Sequence, residues 1–171
     1  MTVETEFLTF SAEKLTQLMG RIETCVQKLT PEQIWMREEA NQNAVGNLLL
    51  HLNGNVRQWI LHGVGGQPDL RDRDSEFAAR GGAGANELLA RLRATVEEAV
   101  ELFRALPAAR LMEAVRTQGY EGTVLASIYH VVEHFAGHTF QIIYATKLST
   151  GEDLGFYAHL SGSAPVKDPL P

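Results

Sequence analysis

The sequence predicts an all-α fold, a four-helix bundle, and three observations carry that expectation. Four long segments repeat apolar side chains at three- and four-residue steps. No segment carries a convincing run of strand-like alternation. The chain has 171 residues, 44% hydrophobic and 21% charged, which is the size and composition of one globular domain. Residues 1–171 are therefore read as a single domain, with a tail from about 150 packing on the bundle.

The first segment runs from about Val3 to Leu29 on Leu8, Leu15, Leu18, Ile22, Cys25 and Leu29. Cys25 lies on that seam and reads as a buried core thiol, since no neighbour in sequence would depress its pKa. Thr30-Pro31-Glu32-Gln33 is a cap, a first-turn proline and a short turn through Trp35. Asn43 is the expected N-cap of the second long helix, which runs to about Gly63 on Val45, Leu49, Leu52, Val56 and Trp59. Beside this seam Asn47, His51 and Asn55 form a polar stripe at four-residue intervals.

Asp69-Leu70-Arg71-Asp72-Arg73-Asp74 alternates in charge and reads as a solvated connection, with Ser75 capping a short turn. The third helix is expected over about Asn86 to Leu106, ending before Pro107. The fourth is expected from about Glu121 to Leu148, closed by Gly151. Leu154, Phe156 and Tyr157 in the tail are available to dock on the bundle.

Composition excludes several function classes. Lys and Arg total 15 against 21 Asp and Glu, a formal net charge of −6, so there is no basic face for a phosphate backbone. No stretch approaches the ~18 uninterrupted apolar residues of a membrane span. The acidic start lacks a signal pattern and one cysteine cannot form an intrachain disulfide. A soluble cytoplasmic protein of bacterial type, without nucleic acid or membrane partners, is the resulting expectation.

Three of the six histidines fall within one helical stretch, His130, His134 and His138. Four-residue spacing stacks side chains about 6 Å apart along a helix, so two imidazoles can share an ion with bonds of about 2.0–2.1 Å. The outer pair, about 12 Å apart, cannot. On a helical wheel His138 lies roughly 30° from the seam of Val124, Ile128, Val131, Phe135 and Ile142, with His134 at roughly 70° and His130 at roughly 110°. The inward pair is His134 and His138, and Gln141 points near them. His51, centred on the polar stripe, is the third ligand by pattern, whereas His62 and His159 read as surface residues.

His130-Val131-Val132-Glu133-His134 also matches the inverted zincin pattern H-x-x-E-H. Glu133 lies roughly 170° from the seam and faces solvent, and the chain is short for such a peptidase, so this reading is set aside.

The stretch from Asn43 to Asn55 (NAVGNLLLHLNGN), followed by His134-x-x-x-His138-x-x-Gln141-Ile142, resembles the DinB/YfiT-like superfamily of metalloenzymes, in particular a branch of small bacterial proteins. The similarity runs from helix 1 to the segment around Tyr157. It implies an up-down-down-up four-helix bundle, commonly a homodimer, holding one divalent metal on residues that correspond to His51, His134 and His138. Members act as thiol-dependent S-transferases and as a thiol-dependent maleylpyruvate isomerase, and others have been proposed as hydrolases. His130 is not part of the transferred ligand pattern.

Three neutral imidazoles leave a zinc-like ion with an open position, the arrangement of catalytic sites. Nickel fits the same donors, and purification on a nickel column can load it in place of the native ion. Such an ion can acidify a water or hold a small-molecule thiol as thiolate, which supplies a nucleophile that the chain's own residues do not. With no carboxylate placed by sequence as general base, the thiol-dependent S-transferase is favoured over a metal-dependent hydrolase. A non-catalytic bundle binding a metal or small ligand is the other alternative. Asn47, Asn55, Gln141 and Tyr144 are the polar residues expected to support the ligands or touch a small-molecule substrate.

Overall fold

A computed structural model describes residues 2–161 of the chain. It is predominantly helical, with one small two-stranded sheet. Helix α1 spans Val3–Val26, and its Thr2 cap accepts a hydrogen bond from the Thr5 amide. Its buried face carries Leu8, Leu15, Leu18, Ile22 and Cys25 of the predicted seam, joined by Ala12 and Met19, and the helix ends at Val26, before the buried Leu29. Cys25 is fully buried, and burial pushes its thiol pKa up. Helix α2, Pro31–Trp35, carries a capping box in which the Thr30 hydroxyl and the Gln33 side chain satisfy each other's backbone amides.

Helix α3 spans Val45–Val56 and continues as a π-helical turn over Arg57–His62. Its N-cap is Ala44 rather than the expected Asn43: Asn47, three residues into the helix, accepts from the Ala44 amide and replaces a side-chain cap. The shift to a wider turn after Val56 changes the rotation per residue, so Trp59 and His62 depart from the simple α-helical extrapolation to Gly63.

Helix α4, Arg73–Ala78, is capped by Asp72, whose carboxylate accepts from the Ser75 amide, so Ser75 is inside the helix instead of capping it. Helix α5 spans Ala85–Ala105. After a 3-10 turn at Ala108–Met112, strands β1 (Ala114–Thr117) and β2 (Tyr120–Thr123) pair antiparallel, Thr117 opposite Tyr120. The hairpin occupies the place where the last long helix was expected to begin. Gln118 and Gly119 both take positive φ, 54° and 82°, the two-residue turn that matches strand twist. Helix α6 therefore starts at Val124, capped by the Thr123 hydroxyl, and runs to Thr150. Gly151, at φ 69°, ends it in the left-handed conformation that lacks a penalty only for glycine.

Helix α1 packs against α5 and α6, and α3 packs against the same two. The core between them includes the fully buried Leu15, Ile22, Leu52, Leu92, Phe103 and Phe135. Each such side chain removed from water contributes roughly 1.5–3 kcal/mol. Thr139 and Thr146, also fully buried, donate to the Phe135 and Ile142 carbonyls one turn back, so the polar groups in this apolar layer are satisfied.

In the tail, Leu154 is buried and Phe156 packs on the core, with the Arg21 guanidinium over the rings of Phe156 and Tyr157. The expected tail docking beyond Ser161, up to Pro171, lies outside the described residues. Among the described residues no helix is long and apolar enough to cross a membrane.

Candidate metal centre

His51 lies mid-way along α3, and His134 and His138 lie one turn apart on α6, which packs against α3. The packing of the two helices brings all three imidazoles together, one ligand nitrogen from each lying within 4.8 Å of the others. The His51 and His134 Nε2 atoms are 2.9 Å apart. The ring centroids of His134 and His138 are 4.4 Å apart, and those of His51 and His138 4.9 Å. His51 is 5% exposed, and the other two are half-buried.

Burial governs the charge of His134 and His138. It lowers the pKa of His134 to about 3, with His138, His51, His130 and Arg71 adding like-charge repulsion. His138 is lowered by burial too, against the opposing effect of its bond to Gln141. Neutral imidazole is the form that offers a lone pair to a cation.

Two of the rings are held from behind. The His138 Nδ1 lies 2.7 Å from the Gln141 Oε1, so Nδ1 carries the hydrogen and Nε2 the lone pair. The His51 Nδ1 lies 3.0 Å from the Glu76 Oε2. Glu76 comes from α4, is 7% exposed, and is gripped by Arg71, whose Nε and Nη2 donate to its two oxygens at 2.8 Å each. Burial raises the Glu76 pKa, but hydrogen bonds from Arg71 and His51 and the Arg71 charge outweigh it and hold the carboxyl below its ordinary range. The Phe77 ring closes one side of His51, with centroids 4.7 Å apart.

The segment of alternating charge is thus not a wholly solvated connection: the Arg71 side chain is 3% exposed. Signals for this pair were present but small. Gly54 sits in the last turn of α3, inside the helical run that continues to His62, where glycine costs about 1 kcal/mol relative to alanine. A Cβ there would stand 1.9 Å from the Glu76 Oε1 and 2.9 Å from the Arg71 Nε. The glycine is the space into which the ion pair fits.

Asn47 is fully buried and its amide donates to the Glu76 and Ala79 carbonyls, at 2.8 and 3.0 Å. It also accepts from Arg37, so it reaches the histidines only through the segment that carries Glu76. Asn55 is buried one turn after His51, and its Oδ1 has no hydrogen-bond partner among the described residues. Gln141 and Tyr144 line a cavity of about 430 Å³ together with Met36, Val45, Leu48 and Leu148. His130 stands apart from the three-ring cluster, its ring 4.4 Å from Trp59 and 5.5 Å from His134. His62 is half-buried and donates to the Gln67 carbonyl at 2.6 Å, so it is less free than a surface reading implies. His159 is half-buried in the last turn, its ring 6.5 Å from Tyr157.

The donor set fits a divalent ion of the zinc type: among the described residues it consists of three imidazole nitrogens, with no thiolate or carboxylate in the cluster. Tetrahedral bonds of 2.0–2.1 Å would put the nitrogens roughly 3.4 Å apart. The 2.9 Å pair would open slightly and wider pairs close, movements within the reach of side-chain rotation.

A helical protein that gathers three half-buried or buried imidazoles in this way is matched over residues 2–160 by the family described as "Protein of unknown function (DUF1572)". The chain belongs to that family. Among solved structures it is similar to one titled "Crystal structure of the conserved protein of locus from Enterococcus faecalis", with a TM-score of 0.73 at 16% identity, covering 89% of this chain and 99% of the other. That likeness concerns the fold. No curated protein sequence matches the chain.

Proposed function

We propose that this protein is a divalent-metal-dependent enzyme whose ion, zinc by preference, is held by His51, His134 and His138, and that it catalyses a thiol-dependent S-transfer. The single observation that carries the reading is the convergence of three imidazole nitrogens within 4.8 Å, on two helices. A cation with three neutral ligands keeps its full charge and an open position, and supplies the acidity that turns a thiol or water into a nucleophile near neutral pH.

The chain's own residues favour an external nucleophile. Cys25 is fully buried with its pKa raised, so it cannot attack a substrate. Glu76 has both oxygens engaged by Arg71 and one by His51, and is not free to take a proton from water as a hydrolytic base. Gln141 holds His138 and also lines the neighbouring cavity, which would receive the apolar body of an electrophilic substrate beside Tyr144, Met36 and Leu48.

The four long helices α1, α3, α5 and α6 are read as the DinB/YfiT-like four-helix bundle in up-down-down-up order, supported by the pairing of α1 and α3 with the same two neighbours. A homodimer is proposed through α6. Its exposed Leu125, Tyr129, Phe140, Tyr144 and Leu148 lie along one flank. An antiparallel second copy crossing at Ala136 and Gly137 puts Tyr129 opposite Tyr144 of the partner subunit, and Leu125 opposite Leu148 of the partner subunit. Gly137 has open space where a Cβ would stand, which allows close approach at the crossing.

The test is metal content followed by turnover. Tag-free protein is expected to carry about one divalent ion per chain. His51→Ala, His134→Ala and His138→Ala should each lose it, whereas His130→Ala should keep it. A screen of low-molecular-weight thiols with electrophilic acceptors then reads activity, with simple esters as the hydrolytic arm. Undiminished metal in the three variants refutes the site. Metal without turnover in either arm supports a non-catalytic metal-binding bundle instead.

A further inference from the structure

We infer that Glu76 is the positioning residue of the centre: clamped by Arg71 in the gap above Gly54, its carboxylate holds the hydrogen of His51 on Nδ1 and so leaves the Nε2 lone pair for the ion. This rests on the three-histidine reading above. The argument is one of competing hydrogen bonds. The His51 Nδ1 faces the Glu76 Oε2 at 3.0 Å and the Arg71 Nη2 at 3.1 Å. A ring nitrogen cannot donate to one and accept from the other at once.

With the carboxylate present, Arg71 is occupied by both Glu76 oxygens and by the Gln58 Oε1 at 2.9 Å, and Nδ1–H donates to Glu76. Without it, Arg71 is released to donate into Nδ1. The ring hydrogen then moves to Nε2, the atom that faces His134 at 2.9 Å. Glu76 also neutralises Arg71, whose charge would otherwise stand beside a cation-binding ring and repel the ion. A carboxylate behind a ligating imidazole is a general way to fix the tautomer and raise ligand basicity. Here the anchor is supplied by a six-residue helix outside the four long ones, itself tied down by Asn47 and Arg37 through the Ala79 carbonyl.

This account separates positioning from mere bracing, because the two members of the ion pair have unequal effects. Glu76→Gln should weaken zinc binding by about 10–100-fold, read by competition with a chromophoric chelator. Arg71→Gln keeps the carboxylate facing His51 and should lose clearly less affinity than Glu76→Gln, even if its melting temperature falls. Gly54→Ala leaves all charges in place but puts a Cβ 1.9 Å from the Glu76 Oε1, and should weaken binding as Glu76→Gln does.

The independent readout is the hydrogen itself. Long-range proton–nitrogen spectra of histidine-labelled, metal-free protein should show His51 protonated at Nδ1 in the parent and at Nε2 in Glu76→Ala, which leaves Nδ1 facing Arg71 with no acceptor from residue 76. Equal losses of affinity in Glu76→Gln and Arg71→Gln, unchanged affinity in Glu76→Gln, or an unaltered His51 tautomer would each overturn the inference. A parent protein that takes up no zinc refutes the metal reading instead, and the tautomer measurement still decides the role of Glu76.

Discussion

His134 makes the stability of the metal-free protein depend on pH in a direction and amount that can be worked out beforehand. Burial first, then the neighbouring His138, His51 and His130, lowers its pKa from 6.5 to about 3 in the folded chain. In the unfolded chain the ring is solvated and titrates near its ordinary value of about 6.5. Between those values the unfolded state binds a proton that the folded state does not, so stability falls as pH falls. The contribution is fully present above the unfolded pKa, and is lost from about 6.5 downward until the folded pKa near 3.

At about 1.4 kcal/mol per pH unit, the fall of roughly 1.5 units from 6.5 to pH 5 has an upper bound of about 2 kcal/mol, which solvent screening of this half-buried ring reduces to about 1 kcal/mol. With a urea dependence on the order of 2 kcal/mol per molar, the unfolding midpoint drops by roughly 0.5 M. The assay is urea denaturation of chelator-treated protein from pH 7.5 to 5, beside His134→Gln. The glutamine variant keeps the parent's other titrating groups, so the difference between the two curves reports the imidazole together with its coupling to His138, His51 and His130. The variant should lose stability less steeply on acidification. Parallel curves would mean that His134 is as solvated when folded as when unfolded, and would refute the burial argument.

Two further outcomes test the packing. Gly46→Ala puts a Cβ 2.8 Å from the Trp35 ring, whose Nε1 is bonded to the Ala83 carbonyl, so the ring cannot retreat freely. The substitution should destabilise by about 1–3 kcal/mol in thermal or urea unfolding despite alanine's better helix propensity, and a gain in stability would contradict the close packing. For the proposed α6 dimer, Tyr129→Glu should give monomer by sedimentation velocity where the parent gives dimer, because the exposed Tyr129 would stand at two contacts in the proposed symmetric pairing. Retention of a dimer in that variant would exclude the α6 face.

By itself the sequence determined the features that depend on local period. The apolar steps from Leu8 to Cys25 and from Leu88 to Phe103 are the buried faces of α1 and α5, because side-chain direction on a helix follows from spacing alone. The same geometry separates His134 and His138 from His130, which the structure sets against Trp59 outside the three-ring cluster.

Tertiary structure decided what spacing cannot encode. Whether the alternating charges at Asp69–Asp74 face water depends on what α3 leaves open beside them, and the answer is a glycine-sized gap at Gly54 that admits Arg71 and Glu76. The Gln118–Gly119 turn outweighed helix continuation because two successive positive φ angles suit a hairpin. A hydrogen bond between Glu76 and His51 joins residues on separate elements, and its energy is realised only once packing has excluded water from both. Helix faces follow from the order of residues along the chain, whereas the partners of a buried charge follow from which faces meet.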